Sequence, residues 1–98
     1  MRRGDFVTIA MQGDFGKPIR RDATVTVLPL TNTLVAAPLL RVTVQPSAEN
    51  GLLQPSQVMV DKAMTVKRSK VGSAFGLIDV DGLVEVERCL ALFLGIAK

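Results

Sequence analysis

Hydrophobic and polar residues alternate along most of this chain, and the period changes only near its end. In "DFVTIAM", Val7, Ile9 and Met11 fall on one face and Phe6, Thr8 and Ala10 on the other, the period-2 pattern of a half-buried strand. "QGDFGKP" follows as a loop with two glycines and a proline. "TVTVLPL" is β-branched and alternating, but Pro29 lacks a ladder donor, so the strand ends there or runs along an edge. The clearest strand is "LLRVTVQP", with Leu40, Val42 and Val44 facing one way and Arg41, Thr43 and Gln45 the other. Asn50-Gly51 in "SAENG" marks a turn. "QVMVDKAMTV" predicts another strand, Val58 and Val60 on one side and Met59 and Asp61 on the opposite one. "KRSK" reads as a solvated turn, and "SAFGLI" as a short strand weakened by its glycine.

Beyond residue 78 the period lengthens. Asp79 is placed to cap a helix over "VDGLVEVERCLALFLG", in which Leu83, Val86, Leu90, Phe93 and Leu94 form an apolar stripe. Glu85 and Arg88 can pair one turn apart, and Gly95 can end the helix in a left-handed cap. The expected fold is mainly β: a small antiparallel barrel whose open side is covered by the C-terminal helix. A length of 98 residues is expected to make one domain, 1–98, with a modest core.

Composition narrows the class. The chain is 48% hydrophobic and 21% charged, which favours a globular fold over disorder. "CLALFLGIA" is too short for a membrane span, and "MRRGDFVTIAM" has no apolar core of a signal peptide. With the single Cys89, this predicts a reducing, cytoplasmic setting and no membrane. A net charge of +3 is a mild bias toward a polyanion, although ordinary surface chemistry also produces it. There is no histidine, tyrosine or tryptophan, so acid–base chemistry must use carboxylates, Arg, Lys or hydroxyls. A site of His and Cys ligands cannot be built, and no metal or cofactor is expected.

The stretches "RRGDFVTIAMQGDFGKP", "VTVLPLTNTLVAAPLLRVTVQPSAENGL", "PSQVMVDKAMTVKRSKVG" and "LVEVERCLALFLGIA" together make the chain resemble the MazF/PemK toxins of bacterial toxin–antitoxin modules, related in fold to the CcdB gyrase poisons. The resemblance covers nearly the whole chain. It implies an SH3-like barrel, usually a homodimer. It further implies a sequence-specific, metal-independent endoribonuclease that cuts single-stranded mRNA and is restrained by a cognate antitoxin. In such proteins the loop after the first strand leads into an Arg-Pro dipeptide that opens a hydrophobic second strand. Here Ile19 follows "GKP" where the resemblance would place the arginine, and "RRDATVTVLPL" arrives at once, so the second strand is expected to be missing.

Cleavage without a metal needs a base for the 2′-hydroxyl, an acid for the leaving oxygen and donors for the transition-state dianion. Without histidine, a half-buried carboxylate is the natural base, and Asp61 fits by its place on the non-core face of "VMVDK"; an exposed charge paired with Lys62 is the plain alternative. By resemblance, Thr31 in "LPLTNT" matches a hydroxyl that holds the scissile phosphate, and Arg20 stands in for the family's catalytic arginine. In some relatives an arginine two residues before Asp61 is the acid, but here Met59 holds that place. Candidate RNA contacts are Phe15 as a base platform, with Lys17, Thr33, Arg41, Gln57 and Lys62. Two other readings stay open: a barrel that binds RNA or antitoxin without cutting, and a CcdB-like topoisomerase poison, disfavoured by the non-aromatic ending "LFLGIAK".

Overall fold

The computed structural model describes residues 1–10 and 23–95. Among the described residues, seven strands and one α-helix follow in chain order: β1 (Asp5–Ile9), β2 (Thr24–Val27), β3 (Leu30–Thr31), β4 (Arg41–Val44), β5 (Ser56–Met59), β6 (Met64–Lys67), β7 (Val71–Leu77) and α1 (Val80–Phe93). Every pairing is antiparallel. The fold is mainly β with a C-terminal helix, as the alternation predicts. Among the described residues the strands form three small sheets, β1–β7, β2–β6 and β3–β5–β4, rather than one closed barrel. The place expected for the missing strand falls within 11–22, outside the described residues, as do Phe15, Lys17 and Arg20.

Pro29 acts as its chemistry requires. β2 stops at Val27 and β3 resumes at Leu30, while the Pro29 carbonyl accepts from the Met59 N–H at 2.8 Å. The core is small and aliphatic: Val42 and Val44 from β4, Val58 from β5, Val60, Ile78, and Val86 and Cys89 from α1. Phe6, Leu28, Leu30, Leu52, Leu83 and Leu90 pack around it. Phe6 also stacks on Phe75 with ring centroids 6.0 Å apart, which joins β1 to β7.

One expectation is corrected between residues 57 and 66. The alternation predicts a continuous strand, but a 3-10 turn at Val60–Lys62 divides it into β5 and β6, which belong to different sheets. Asp, Lys and Ala are poor strand formers, and the turn keeps Val60 fully buried while the chain changes direction. Val58 and Val60 still share the core side. "KRSK" is likewise a 3-10 turn, Arg68–Lys70.

The helix begins and ends where its signals lie. Asp79 Oδ1 accepts from the Gly82 N–H at 3.0 Å, and Gly95 adopts a φ of +75° just past the last turn. Glu85 and Arg88 pair at 3.3 Å. The apolar stripe is shorter than predicted: Phe93 and Leu94 are about half exposed, because the core ends under Leu90 and Cys89 instead takes a central place. Burial pushes the Cys89 thiol above 9.0, Glu85 adds to the rise and Arg88 opposes it. A raised folded-state value stabilises the protonated thiol, so this contribution is present below the unfolded pKa and is lost as pH rises past about 9 toward the folded value. We expect Cys89 to resist a thiol-specific disulfide reagent in native protein at neutral pH and to react fully once guanidinium unfolds the chain. Rapid native labelling would show that α1 does not seal the core.

Candidate active site

The three-stranded sheet carries most of the candidates on one face. In its register Leu30 and Val42 lie across from Val58, and these side chains point into the core. The alternate positions point away from it: Thr31 and Thr43 flank Gln57, and Arg41 lies opposite Met59. Asp61 follows two residues after Met59 and turns back toward this face, where its Oδ1 accepts from Arg41 Nε at 3.3 Å. The pair is sheltered, with side-chain exposures of 16% for Arg41 and 22% for Asp61. Shelter raises the weight of such an ion pair above that of a surface one and fixes both side chains in direction. Asp61 is thus committed to Arg41 and not to its neighbour Lys62, which is exposed.

Sequence reasoning names both residues but misses their partnership. The signal is present: a hairpin centred on Asn50 places Arg41 across from residue 59, within reach of residue 61. Asn50 is buried and holds that turn with its side chain, accepting from the N–H groups of Ser47 and Leu52 and donating to the Gln45 carbonyl.

Thr31 sits at the opposite end of the same face. Its Oγ1 accepts from the Thr33 N–H at 3.1 Å, which closes a local turn and leaves the hydroxyl proton available. Thr31 pairs with Gln57, and β5 runs only two residues further, to Met59, before the 3-10 turn that carries Asp61. About 7 Å of strand and part of a turn therefore separate the level of Thr31 from that of Asp61. A single strand of nucleic acid laid on this face would therefore meet them in succession, not at one phosphate. Thr33 is exposed beside Thr31.

Gln57 departs from the expectation of a direct contact. It is buried at 5% exposure, and both ends of its amide are bound within the protein. Its role is to support the neighbouring loop. That loop, the β4–β5 pair and the first turns of α1 enclose a cleft of about 340 Å³ lined by Val35, Ala37, Pro38, Arg41, Thr43 and Glu85. A guanidinium at the wall of an open cleft, with a carboxylate behind it, can hold a phosphate and exchange a proton beside it.

Comparison with known proteins gives the family. A family profile described as PemK-like, MazF-like toxin of type II toxin-antitoxin system matches residues 9–94. The chain belongs to the PemK/MazF toxin family. A relative from Mycolicibacterium smegmatis, named "Probable endoribonuclease MazF", is 42% identical over 108 aligned positions that take in 99% of each chain. Those 108 positions exceed the 98 residues present here, so the MazF relative carries residues that this chain lacks. Among solved structures, the Mycobacterium tuberculosis toxin MazF-mt6 matches with a TM-score of 0.68 at 25% identity, covering 94% of this chain and 87% of its own. A mycobacterial endoribonuclease in complex with its cognate antitoxin shares the fold, with a TM-score of 0.66 at 23% identity over 94% of this chain and 82% of its own. The expected PemK/MazF membership and its toxin–antitoxin context are thus borne out. No helix among the described residues is long and apolar enough to cross a membrane.

Proposed function

We propose that this PemK/MazF toxin cuts single-stranded mRNA at defined sequences without a metal, and that the sheltered Arg41–Asp61 pair is the centre of its chemistry. Arg41 on the wall of an open cleft, paired with Asp61 at 3.3 Å, is the observation that carries the reading. Asp61 takes the proton of a 2′-hydroxyl, whose oxygen attacks the adjacent phosphorus. The bond from phosphorus to the 5′-oxygen breaks, leaving a 2′,3′-cyclic phosphate and a 5′-hydroxyl. The free guanidinium nitrogens of Arg41 hold the developing dianion. The leaving 5′-oxygen takes its proton from water, and Arg20 places a fixed positive charge beside the phosphate. Thr31 and Thr33 bind the neighbouring phosphate through hydroxyl and turn groups, and Phe15, Lys17 and Lys62 extend the contact with RNA.

The chain works as a homodimer in the cytoplasm, held inactive by a cognate antitoxin. The toxin–antitoxin description of the family supports the antitoxin, and the half-exposed Phe93 and Leu94 support self-association.

The test is incubation of the protein with a long single-stranded RNA in excess chelator. Discrete fragments ending in cyclic phosphate and 5′-hydroxyl are expected, and a 2′-deoxy substitution at a cut position should protect that position alone. Intact RNA would overturn the reading, and cutting through a 2′-deoxy position would overturn the 2′-hydroxyl mechanism. Thr31→Ala should fold normally and weaken cutting mainly through KM, by about tenfold, as expected for a lost contact to a neighbouring phosphate and not to the reacting one.

A further inference from the structure

The face of the central sheet that points away from the valine core would ordinarily be wet, yet Gln57 in its middle is 5% exposed. The cause is the segment 33–40, which folds over it. Gln57 Nε2 donates to the Val35 carbonyl at 2.9 Å and to Thr43 Oγ1 at 3.2 Å, while its Oε1 accepts from the Val35 N–H at 3.1 Å. One side-chain amide thus offers a donor and an acceptor to the two backbone groups of a single residue, as a neighbouring strand would. The rest of the segment is fastened as well. Thr33 N–H binds Thr31 Oγ1, the Ala37 carbonyl accepts from Leu40 and Arg41, and the Cys89 thiol reaches the Pro38 carbonyl at 3.8 Å.

The side chains of this fixed backbone do the opposite of what a free loop would allow. Leu34 is 50% exposed and Val35 46%, and Val35 lies on the lining of the cleft beside Arg41. A mobile loop would fold two such apolar groups away from water; a pinned one keeps them presented, with the ordering cost met before any ligand arrives. Nucleobases have apolar faces that stack on side chains, commonly aromatic ones. Near this cleft the described residues supply none: Phe6 and Phe75 stack on each other, and Phe93 sits in the last turn of α1.

We propose that Gln57 is a positioning residue that holds Val35, with Leu34 beside it, as an aliphatic platform for the nucleobase next to the scissile phosphate. Through this platform it sets the base preference at one position of the cut sequence. The inference rests on the ribonuclease reading above.

Val35→Ala removes the platform and leaves the clamp, which grips backbone atoms only. Gln57→Leu removes the clamp and leaves the platform side chain. Both would be compared with the unaltered protein in four ways: the profile of cut sites on a long single-stranded RNA, KM and kcat on a short substrate, the exchange rate of the Val35 amide hydrogen, and the Tm. For Val35→Ala, KM should rise roughly five- to tenfold, near the lower end for a lost base contact, with kcat nearly unchanged and the preference flattened at one position. Gln57→Leu should flatten the same position, and its Val35 amide should exchange at least about tenfold faster, as loss of a hydrogen bond requires.

A purely structural glutamine would lower Tm without touching preference. Folded variants that keep the original cut profile and KM therefore overturn the proposal, as does unchanged exchange at Val35 in Gln57→Leu. Should Gln57→Leu fail to fold, Val35→Ala decides alone on the cut profile. If the unaltered protein leaves RNA intact, the ribonuclease reading falls and this inference with it. If it cuts and the variants cut identically, only this inference falls.

Discussion

Asp61→Asn is expected to reduce RNA cleavage by roughly 100- to 1,000-fold while leaving the fold intact. Asparagine fills the same space and can still meet Arg41 through its carbonyl oxygen, but it cannot accept the 2′-hydroxyl proton at neutral pH. General bases of this kind contribute ~100- to 10,000-fold. Arg41→Ala should cost a similar factor through loss of a donor to the transition-state dianion. Arg41→Lys should recover only part of it, since an ammonium keeps the charge but not the planar fork that can face a carboxylate and a phosphate together.

The decisive result is the double variant. Because the two side chains act as one unit at 3.3 Å, Asp61→Asn combined with Arg41→Ala should be little slower than either alone. The check is single-turnover cleavage of a defined RNA, with far-UV circular dichroism to confirm folding. Cleavage by Asp61→Asn within about threefold of the unaltered protein would remove this carboxylate from the chemistry, and fully multiplicative losses would separate the two residues.

Much of the frame for this pair was legible in the chain, and the physical reason is periodicity. A strand half buried in a small core must alternate, so β1, β2, β4 and β7 stand out, and the terminal helix announces itself by Asp79 at one end and Gly95 at the other. The division of residues 57–66 was harder to read. Alternation continues through Val60 and Asp61 because Val60 is still a core residue, and only the weak strand-formers Asp61, Lys62 and Ala63 hint that the backbone turns. The stripe of α1 misled at Phe93 and Leu94 because helical spacing shows which face is apolar and not how far the core beneath extends.

At the candidate site, sequence reasoning named Thr31, Arg41 and Asp61 one by one. The Arg41–Asp61 contact depends on strand register, which the Asn50-Gly51 turn encodes but alternation alone does not. The clamp by Gln57 was not legible at all: its partner is the backbone of a segment without regular structure, and no pattern of side chains records where such a backbone lies.

The same register supplies the prediction with the largest effect on stability. Gly76→Ala is expected to destabilise the protein by about 2–4 kcal/mol, as overpacking against unyielding atoms does. A Cβ at Gly76 would overlap the backbone carbonyl of Asn50, far inside the 3.0 Å that such atoms essentially never breach. Neither side can give easily. Gly76 is held in β7 opposite Phe6, and Leu77 N–H is bound to the Glu49 carbonyl at 3.0 Å. Asn50 in turn is buried and fixed by its own side-chain bonds to the turn. For a chain of this size, 1 kcal/mol shifts Tm by roughly 4–8 °C, so a fall of about 10–25 °C should appear in a thermal melt. Gly72→Ala is the control. A methyl there meets chiefly the hydroxyl of the exposed Thr8 side chain and not a fixed carbonyl, so its cost should stay well below that of Gly76→Ala. Because the Asn50 turn sets Arg41 across from Met59, Gly76→Ala should also lower cleavage at temperatures where the protein is still folded, whereas Gly72→Ala should not. Equal and small Tm shifts for the two would mean that β7 does not buttress the turn, and that the register of the Arg41–Asp61 pair is secured by the β4–β5 ladder alone.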